Sequence, residues 1–284
     1  MGRLIRVDAE LVRRGLARSR AAAAELIQEQ KVFLAGLPVT KPSRQMDPAQ
    51  PLVVKNADAT PYASRGAYKL IGALDALGVA GPQISGIRAL DAGASTGGFT
   101  DVLLRRGAAS VVAVDVGYGQ IAWRLREDTR VEVIERMNIR NLDPQLVAPA
   151  PQLVVGDLSF ISLTLVIPPL IAAASETADF LLMVKPQFEV GRENIGAGGV
   201  VRDTKLHYQA VEKVAEHATA QGLEVLAAVP SPLPGPKGNV EYFLYMKKTG
   251  KTASKQAIHG MIEGAILAGP ANSAGVKAGE GESK

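Results

Sequence analysis

The sequence predicts an α/β protein, with a small N-terminal α+β module followed by a Rossmann-like, mostly parallel sheet of seven strands. Three observations lead to this prediction. Short apolar runs alternate with helical patterns from Arg88 onwards, the first of these runs ends in a glycine-rich turn, and the basic excess of the chain lies in its N-terminal fifth. Strands that alternate with helices typically form a parallel sheet covered on both faces.

The composition limits the classes of function. Of the 284 residues, 47% are hydrophobic and 21% are charged, which is enough for one large and one small folded domain. Cysteine is absent, which excludes disulfides and cysteine-ligated zinc, and the three histidines are scattered, so we expect no metal site. The first residues form an arginine-rich helical pattern rather than a secretory signal, and the most apolar run, residues 163–174, is too short to cross a bilayer. These features predict a cytoplasmic protein without stable membrane association.

Residues 3–59 are predicted to fold as a separate module. Its pattern predicts helices at 7–16 and 21–30, then short strands at 31–34, 37–39 and 52–54. Residues 1–60 contain ten lysines and arginines and six acids, whereas the rest of the chain contains 22 of each. The net charge of +4 therefore belongs entirely to this part of the chain.

This concentrated charge favours a phosphate-binding surface over an ordinary solvated helix face. Phe33 is the only aromatic residue in the module, so recognition of the shape and backbone of structured RNA is expected rather than base stacking. The candidate RNA-binding residues are Arg6, Arg13, Arg14, Arg18, Ser19, Arg20, Lys31, Lys41 and Arg44, with Arg65 following a linker at 60–63.

The stretch from Arg88 to Asp101 predicts a nucleoside-binding turn. An apolar run ends near Asp91, and a turn with three glycines leads into a helical pattern. Such a turn lets the backbone approach a ligand and directs free N–H groups towards it. The next strand, at 111–115, ends in Asp115, where an acid suits the two hydroxyls of a ribose. The dinucleotide fingerprint and the triphosphate-binding loop are both absent.

Two interpretations of this turn are open. Its opening, Asp91-Ala92-Gly93, resembles the first motif of S-adenosylmethionine-dependent methyltransferases. The stretch Gly93–Gly97 also fits the hydrolase elbow Gly-x-Ser-x-Gly. A hydrolase would need a later acid and then a histidine, but His207 and His217 lie in a helical pattern and His259 lies in the tail, which disfavours this interpretation.

Beyond the turn, the pattern continues to alternate. The remaining predicted strands are 131–135, 153–157, 179–185, 224–229 and 240–246, and the predicted helices are 64–77, 98–106, 119–126, 162–174 and 204–221. Residues 249–284 are rich in glycine and alanine, and are expected to be a partly disordered tail with a possible helix at 255–267.

Two lysines and two acids are expected to meet at one edge of this sheet. Ligands bind outside the carboxyl ends of the strands in a doubly wound sheet. Asp157 and Lys185 end the fourth and fifth strands, and Glu241 would share this edge if the last strand is antiparallel. Lys69, on the helix before the first strand, can lean over the same edge. Each residue alone could equally be a helix cap or a solvated strand end, so their shared position carries the prediction.

This set suits methylation of a ribose hydroxyl. The hydroxyl is a poor nucleophile, and a lysine can take its proton only if the lysine pKa falls towards neutrality. We assign Lys185 as the base and Lys69 as the group that positions the hydroxyl or stabilises its oxyanion. Asp157 and Glu241 would orient the two lysines.

With these residues in place, the chain resembles the FtsJ-like ribose 2′-O-methyltransferases, and specifically the TlyA family, also called hemolysin A. The resemblance runs through Ser64–Leu70, Leu90–Thr100, Asp115–Gln120, Asp157–Ser162, Val184–Glu189, Ser231–Pro236 and Gly238–Phe243, and its N-terminal part is similar to an S4 RNA-binding domain. It implies a class I methyltransferase fold over 64–248, with an antiparallel last strand. Gln30 departs from the glycine that such RNA-binding domains usually carry before their first strand.

The resemblance also implies a reaction. Relatives of this kind methylate the cytidine 2′-hydroxyl in the 16S and 23S RNA of ribosomal subunits, with S-adenosylmethionine as cofactor, and loss of the modification in relatives is linked to resistance to capreomycin and viomycin. Asn138 matches the position that contacts the adenine. The expected cofactor-binding residues are Asp91, Gly93, Ala94, Ser95, Thr96, Gly97, Gly98, Phe99, Asp115, Val116, Asn138, Asp157 and Leu158.

Two other functions would require different features of the sequence. A hemolysin or other membrane-active protein should contain an amphipathic or membrane-spanning segment, and none is found in the sequence. An RNA-binding module with an inactive methyltransferase domain would have no need of the complete set of two lysines and two acids.

Overall fold

The computed structural model describes residues 4–54 and 62–270. The chain divides into two compact units, residues 1–61 and residues 62–284. The linker residues 60 and 61, and the tail from residue 271, lie outside the described residues.

The N-terminal unit packs two helices against short antiparallel strands. Its elements are β1 (Ile5–Arg6), α1 (Val7–Arg13), α2 (Arg20–Gln28), β2 (Val32–Leu34), β3 (Leu37–Pro38), β4 (Gln45–Met46) and β5 (Leu52–Val54). Strands β3, β2 and β5 form one sheet in that order, and β1 pairs with β4. The core comprises Val7, Leu11, Ala23, Ile27, Val32, Leu34, Val39, Met46 and Leu52.

The predicted extent of one helix in this unit is corrected, and two further features were not predicted. Helix α1 ends at Arg13 rather than residue 16, because Gly15 adopts φ 71°, outside the helical region. The pairing of β1 with β4 was not predicted, since two-residue strands are too short to show an alternating pattern. Gln30 adopts φ 56°, so the turn before β2 forms in the left-handed conformation that glycine would favour.

The second unit is built on a seven-stranded sheet. Its elements are α3 (Ala67–Leu77), β6 (Arg88–Ala92), α4 (Gly98–Arg105), β7 (Ser110–Val114), α5 (Trp123–Arg126), β8 (Val131–Ile134), β9 (Leu153–Gly156), α6 (Ile167–Ala173), β10 (Asp179–Val184), α7 (Pro186–Glu189), α8 (Thr204–Ala220), β11 (Glu224–Pro230), β12 (Tyr242–Lys247) and α9 (Lys255–Ala268). The strand order is β11-β12-β10-β9-β6-β7-β8.

The strands from β6 to β10 run parallel, and β12 is antiparallel to both of its neighbours. This confirms the predicted fold class, including the antiparallel last strand. Every residue of β10 is buried, as expected for a central strand covered on both faces. Helices α3 and α4 pack on one face of the sheet, whereas α6, α8 and α9 pack on the other.

Several predicted helices are shorter than expected. Helix α3 begins at Ala67, so residues 64–66 form a loop, and the helix predicted at 119–126 is reduced to the single turn of α5. The helix predicted at 162–174 is divided into a 3₁₀ turn at Leu163–Leu165 and α6, because Pro168 and Pro169 are tolerated only in the first turn of a helix.

The possible helix at 255–267 is present as α9. Its residues Ile258, Ile262 and Ile266 are buried in the same core as α8 and β11, which was not predicted for a segment assigned to the tail.

Candidate active site

The glycine-rich turn connects β6 to α4 through residues in left-handed conformations. Gly93 has φ 84°, Ser95 has φ 48° and Gly97 has φ 90°. A Cβ atom on Gly93 would lie 3.1 Å from the Asp157 carbonyl oxygen, and one on Gly97 would lie 2.3 Å from Leu125 Cδ1. Gly93 therefore lets two strand ends approach each other, whereas Gly97 lets the turn pack against α5.

Two adjoining clefts open along the carboxyl ends of β6, β7 and β9. The outer cleft, of about 460 Å³, is lined by Gly93, Ser95, Asp115, Val116, Gln120, Met137, Asn138, Ile139, Asp157, Leu158, Ser159, Phe160, Ile161 and Val166. The inner cleft, of about 300 Å³, is lined by Ser64, Gly66, Lys69, Asp91, Gly93, Ala94, Ser95, Thr96, Gly98, Phe99, Asp157, Ser159 and Lys185.

Twelve of the thirteen predicted cofactor residues line these clefts, and Gly97 does not. Ser64 and Gly66 also line the inner cleft but were not predicted, because the sequence pattern placed them inside a helix. The apolar wall of the outer cleft, which is formed by Met137, Ile139 and Val166, was not predicted either. Apolar residues that follow strands carry no sequence signal distinguishing a cleft wall from a core.

Asp115 accepts two backbone hydrogen bonds at the outer cleft. Ser95 N donates to its Oδ2 at 2.8 Å, and Gly117 N donates to its Oδ1 at 2.7 Å. These bonds fix a half-buried carboxylate whose remaining lone pairs can accept from hydroxyls. Asn138 lines the same cleft, and its side chain accepts from Arg140 N at 3.0 Å, which holds the amide in place.

Asp91 is fully buried beneath the turn. Burial raises its pKa to about 7, although Thr100 N and Thr100 Oγ1 both donate to its Oδ2, at 2.9 and 2.7 Å. In the described part of the chain its Oδ1 has no hydrogen-bond partner. A buried acceptor without a donor is costly, so it marks a place where a ligand with a positive charge or an N–H group is favoured.

The lining therefore fits S-adenosylmethionine. Asp91 and Asp157 offer carboxyl groups to a ligand that carries an ammonium and a sulfonium, Asp115 is placed for ribose hydroxyls, and the apolar wall suits a flat adenine ring.

The four predicted catalytic side chains lie together at the inner end of these clefts. Lys69 Nζ lies 2.6 Å from Glu241 Oε2 and 3.4 Å from Asp157 Oδ2, and Lys185 Nζ lies 2.6 Å from Asp157 Oδ1. The register of β10 with β12 accounts for part of this cluster. Val184 lies opposite Tyr242 in these antiparallel strands, so Lys185, which follows Val184, lies beside Glu241, which precedes Tyr242. We call Lys69, Asp157, Lys185 and Glu241 the tetrad.

The tetrad is largely withdrawn from water. The side chains of Lys69 and Lys185 are 12% and 6% exposed, and that of Glu241 is fully covered. Burial disfavours the charged form of Lys69, but Asp157 and Glu241 outweigh this, so the pKa of Lys69 is raised above its ordinary value. Lys69 is therefore an ammonium at neutral pH, which suits a group that stabilises negative charge on oxygen.

A third cavity adjoins the tetrad on its other side. This aromatic pocket, of about 350 Å³, is lined by Ser159, Phe160, Lys185, Gln187, Phe188, Ile195, Gly198, Gly199, Lys237, Asn239 and Glu241. The ring centroids of Phe160 and Phe188 are 5.2 Å apart, and Phe160 is 91% exposed with φ 63°. An exposed aromatic residue in a strained conformation is typical of a binding surface. This pocket was not predicted, because Phe160 lies in the loop after β9 and Phe188 lies in α7, and no sequence pattern brings the two rings together.

Several of the candidate RNA-binding residues form ion pairs with acids of their own unit, which the count of charges did not reveal. Arg6 and Arg20 bind Asp8, Arg13 and Arg14 bind Glu10, and Lys31 binds Glu29. Arg44 donates to Pro38 O, and Ser19 Oγ caps α2 by accepting from Ala22 N. Arg18, Lys41 and Arg65 are exposed, and Arg18 and Lys41 form no ion pair within the described ranges. A charge count cannot separate arginines that hold the fold from arginines that face a partner.

The described residues contain neither a metal cluster nor a membrane-spanning helix. Among residues 4–54 and 62–270, no group of three or more histidine or acidic side chains is arranged to hold a metal ion. None of the described helices combines the length and apolar character that a bilayer crossing requires.

Comparison with known proteins agrees with this geometry. The FtsJ-like methyltransferase family matches residues 62–248, and the S4 domain matches residues 5–50. The chain is 52% identical to the 16S/23S rRNA (cytidine-2′-O)-methyltransferase TlyA of Mycobacterium tuberculosis, over 95% of this chain and 100% of that protein. It is 39% identical to a Bacillus subtilis protein provisionally named rRNA methyltransferase YqxC, over 89% of each.

A solved structure of a protein from Streptococcus thermophilus, which carries a provisional hemolysin name, matches with a TM-score of 0.71 and 34% identity. The match covers 98% of both chains. The chain therefore belongs to the TlyA family of FtsJ-like, S-adenosylmethionine-dependent methyltransferases.

Proposed function

We propose that this protein methylates the ribose 2′-hydroxyl of cytidine in ribosomal RNA, in both the small and the large ribosomal subunit. The observation that carries the proposal is the position of the tetrad, which lies between clefts that fit S-adenosylmethionine and a pocket lined by the rings of Phe160 and Phe188. The names of the most similar relatives support the choice of cytidine and of both subunits. Ribosomal subunits are then the partner, and the cytoplasm is the place of action.

In this proposal the two lysines have different roles. Lys185 lines both the inner cleft and the aromatic pocket, so it can reach the acceptor hydroxyl and take its proton as a neutral amine. Lys69 stays protonated and stabilises the developing charge on the oxygen. Asp157 contacts both lysines and fixes their separation, and Glu241 holds Lys69.

When bound, S-adenosylmethionine would supply a methyl group already activated by its sulfonium, and Lys185 would take the proton of the hydroxyl that accepts this methyl group. The protein's task is therefore mostly alignment of the two reactants.

The aromatic pocket is proposed to hold the target nucleoside. A base inside a duplex cannot reach the tetrad, so enzymes of this kind act on an unstacked or extruded nucleotide. Phe160 and Phe188 offer ring faces on which such a base can stack, which is worth about 1–3 kcal/mol per base.

The N-terminal unit is proposed to bind the ribosomal RNA backbone. Its exposed cations Arg18 and Lys41 can contact phosphates directly, and the arginines paired to Asp8 and Glu10 keep N–H groups available towards solvent. We propose an RNA-binding domain at 3–59, a linker at 60–63 and a methyltransferase domain from 64, extended beyond 248 to include α9.

The direct test is to incubate unmodified small and large subunits with the protein and isotopically labelled S-adenosylmethionine, and then to map 2′-O-methyl groups in both RNAs. We expect one or a few cytidines to gain the label in each RNA. Label on bases rather than riboses, or none in either RNA, would refute the proposal. Cofactor-independent leakage from liposomes, with no methyl transfer, would instead support a membrane activity.

A further inference from the structure

Ser159 occupies the point at which all three cavities meet. Alone among the described lining residues, it borders the outer cleft, the inner cleft and the aromatic pocket. It follows Asp157 by two residues in the loop after β9. The methyl donor and the acceptor hydroxyl must come together here if the proposed function is correct.

The hydroxyl of Ser159 contacts the proposed base. Lys185 Nζ donates to Ser159 Oγ at 2.8 Å and lies 2.6 Å from Asp157 Oδ1. The nitrogen is tetrahedral, with one bond to Cε and three remaining positions. Ser159 Oγ takes one of these positions, and Asp157 Oδ1 lies beside the nitrogen at ion-pair distance without forming a hydrogen bond.

We propose that Ser159 is a positioning residue that, together with Asp157, directs the lone pair of the Lys185 amine at the acceptor hydroxyl. A neutral amine carries two N–H bonds and one lone pair. Ser159 holds one N–H bond, and the negative charge of Asp157 repels the lone pair, so the lone pair occupies the position that faces away from both. Without the Ser159 hydroxyl, rotation about Cε–Nζ can place an N–H bond there, and the amine is then wrongly oriented for proton transfer.

The surroundings of the two lysines support this role. Lys69 contacts two carboxylates, which hold its proton, whereas Lys185 contacts one carboxylate and one uncharged hydroxyl. A hydroxyl can orient the amine without adding a second negative charge that would stabilise the ammonium form.

The loop that carries Ser159 is anchored elsewhere. Glu189 accepts hydrogen bonds from Leu163 N at 2.7 Å and from Ser162 Oγ. Because these bonds fix the far end of the loop, removal of the Ser159 hydroxyl is expected to change the contact with Lys185 and to leave the loop in place.

The test compares Ser159→Ala, Ser159→Thr and Lys185→Ala in single-turnover methyl transfer to unmodified ribosomal subunits. We expect Ser159→Ala to lower the rate by about tenfold, with the affinities for S-adenosylmethionine and for subunits unchanged. Ser159→Thr restores a hydroxyl and should return the rate to within about threefold of the original. Thermal unfolding of each variant shows whether the fold is kept.

The outcomes separate this inference from the proposed function on which it rests. An unchanged rate in Ser159→Ala, a loss that threonine does not restore, or a loss accompanied by weaker cofactor binding would overturn the role of Ser159 while Lys185→Ala remains inactive. Full activity of Lys185→Ala would instead remove the base itself, and the proposed mechanism would fail together with the inference.

Discussion

The two units of the molecule both cover acidic side chains with basic ones, but the basic partners differ in exposure. In the N-terminal unit, Asp8 and Glu10 are 5% and 0% exposed, whereas Arg13 and Arg20, which bind them, are 65% and 60% exposed. In the tetrad, the lysines themselves are covered. The N-terminal unit and the tetrad therefore both contain buried acids. What distinguishes the catalytic region is that its basic side chains are buried as well.

The presence of a basic partner sets the direction of these pKa shifts. Hydrogen bonds from Arg6 and Arg13 lower the pKa of Asp8 and of Glu10 to about 2. Among the described residues Asp91 forms no ion pair, and burial raises its pKa to about 7. Glu10 and Asp91 are thus expected to respond to acid in opposite ways.

The largest expected effect is the loss of the buried base. Lys185→Ala should lower kcat for methyl transfer by about 10²–10⁴-fold, the usual contribution of a general base, with little change in cofactor affinity. Lys255→Ala is a matched control, because Lys255 is 93% exposed and forms its ion pair with Glu216, outside the clefts. If the two variants were equally active, burial of a lysine would not distinguish a catalytic cation from a non-catalytic one.

Reversal of unpaired charge tests the N-terminal unit without disturbing its fold. Arg18→Glu combined with Lys41→Glu should weaken subunit binding by tenfold or more (an order-of-magnitude expectation) and reduce the salt dependence by about one unit of slope per lost phosphate contact. Reversal of Arg14 or Arg20 would be a poor test, since each binds a buried acid. The control is Lys251→Glu combined with Lys255→Glu, which reverses the same number of charges outside the N-terminal unit. An equal loss of subunit affinity in this control would contradict a localised RNA-binding surface.

A pH series tests the opposite carboxyl shifts. The stability that Glu10 gains from its arginines is present above about pH 4.5 and is lost as the pH falls towards 2, and Glu10→Gln should remove this dependence. The folded state retains a proton on Asp91, so its stability falls as the pH rises from about 4 to 7, and Asp91→Asn should flatten that slope. The measurement is hydrogen exchange, followed separately in each unit as a function of pH. If the contributions of Glu10 and Asp91 to stability changed with pH in the same direction, the comparison would be contradicted.

The smallest expected effect concerns backbone strain. Gln30→Gly should stabilise the N-terminal unit by about 0.5–1 kcal/mol, because a left-handed residue with a side chain is strained and glycine is not. Glu29→Gly is the matched control, since Glu29 has φ −75° and should lose stability instead. Denaturant unfolding compares the two, and a loss of stability in both variants would show that the turn at Gln30 is unstrained.

The sequence alone determined the sheet and the residue types of the site. Period-two and helical patterns revealed the alternation of strands and helices, and Asp91, Asp115, Asp157 and Lys185 stood at strand ends that any parallel sheet brings to one edge. Glu241 required one further inference, that the last strand is antiparallel, and the structure agrees. These features were predictable because period and strand direction are local or topological properties.

Only the tertiary structure decided which charges are free and which cavities exist. Arg18 and Arg20 look alike in the sequence, yet Arg20 binds the buried Asp8 of α1 and Arg18 forms no ion pair within the described residues, because the packing of α2 against α1 brings Asp8 to Arg20. The aromatic pocket and the contact between Ser159 and Lys185 join loops far apart in the chain. Such contacts depend on how loops pack, and no periodic pattern encodes that packing.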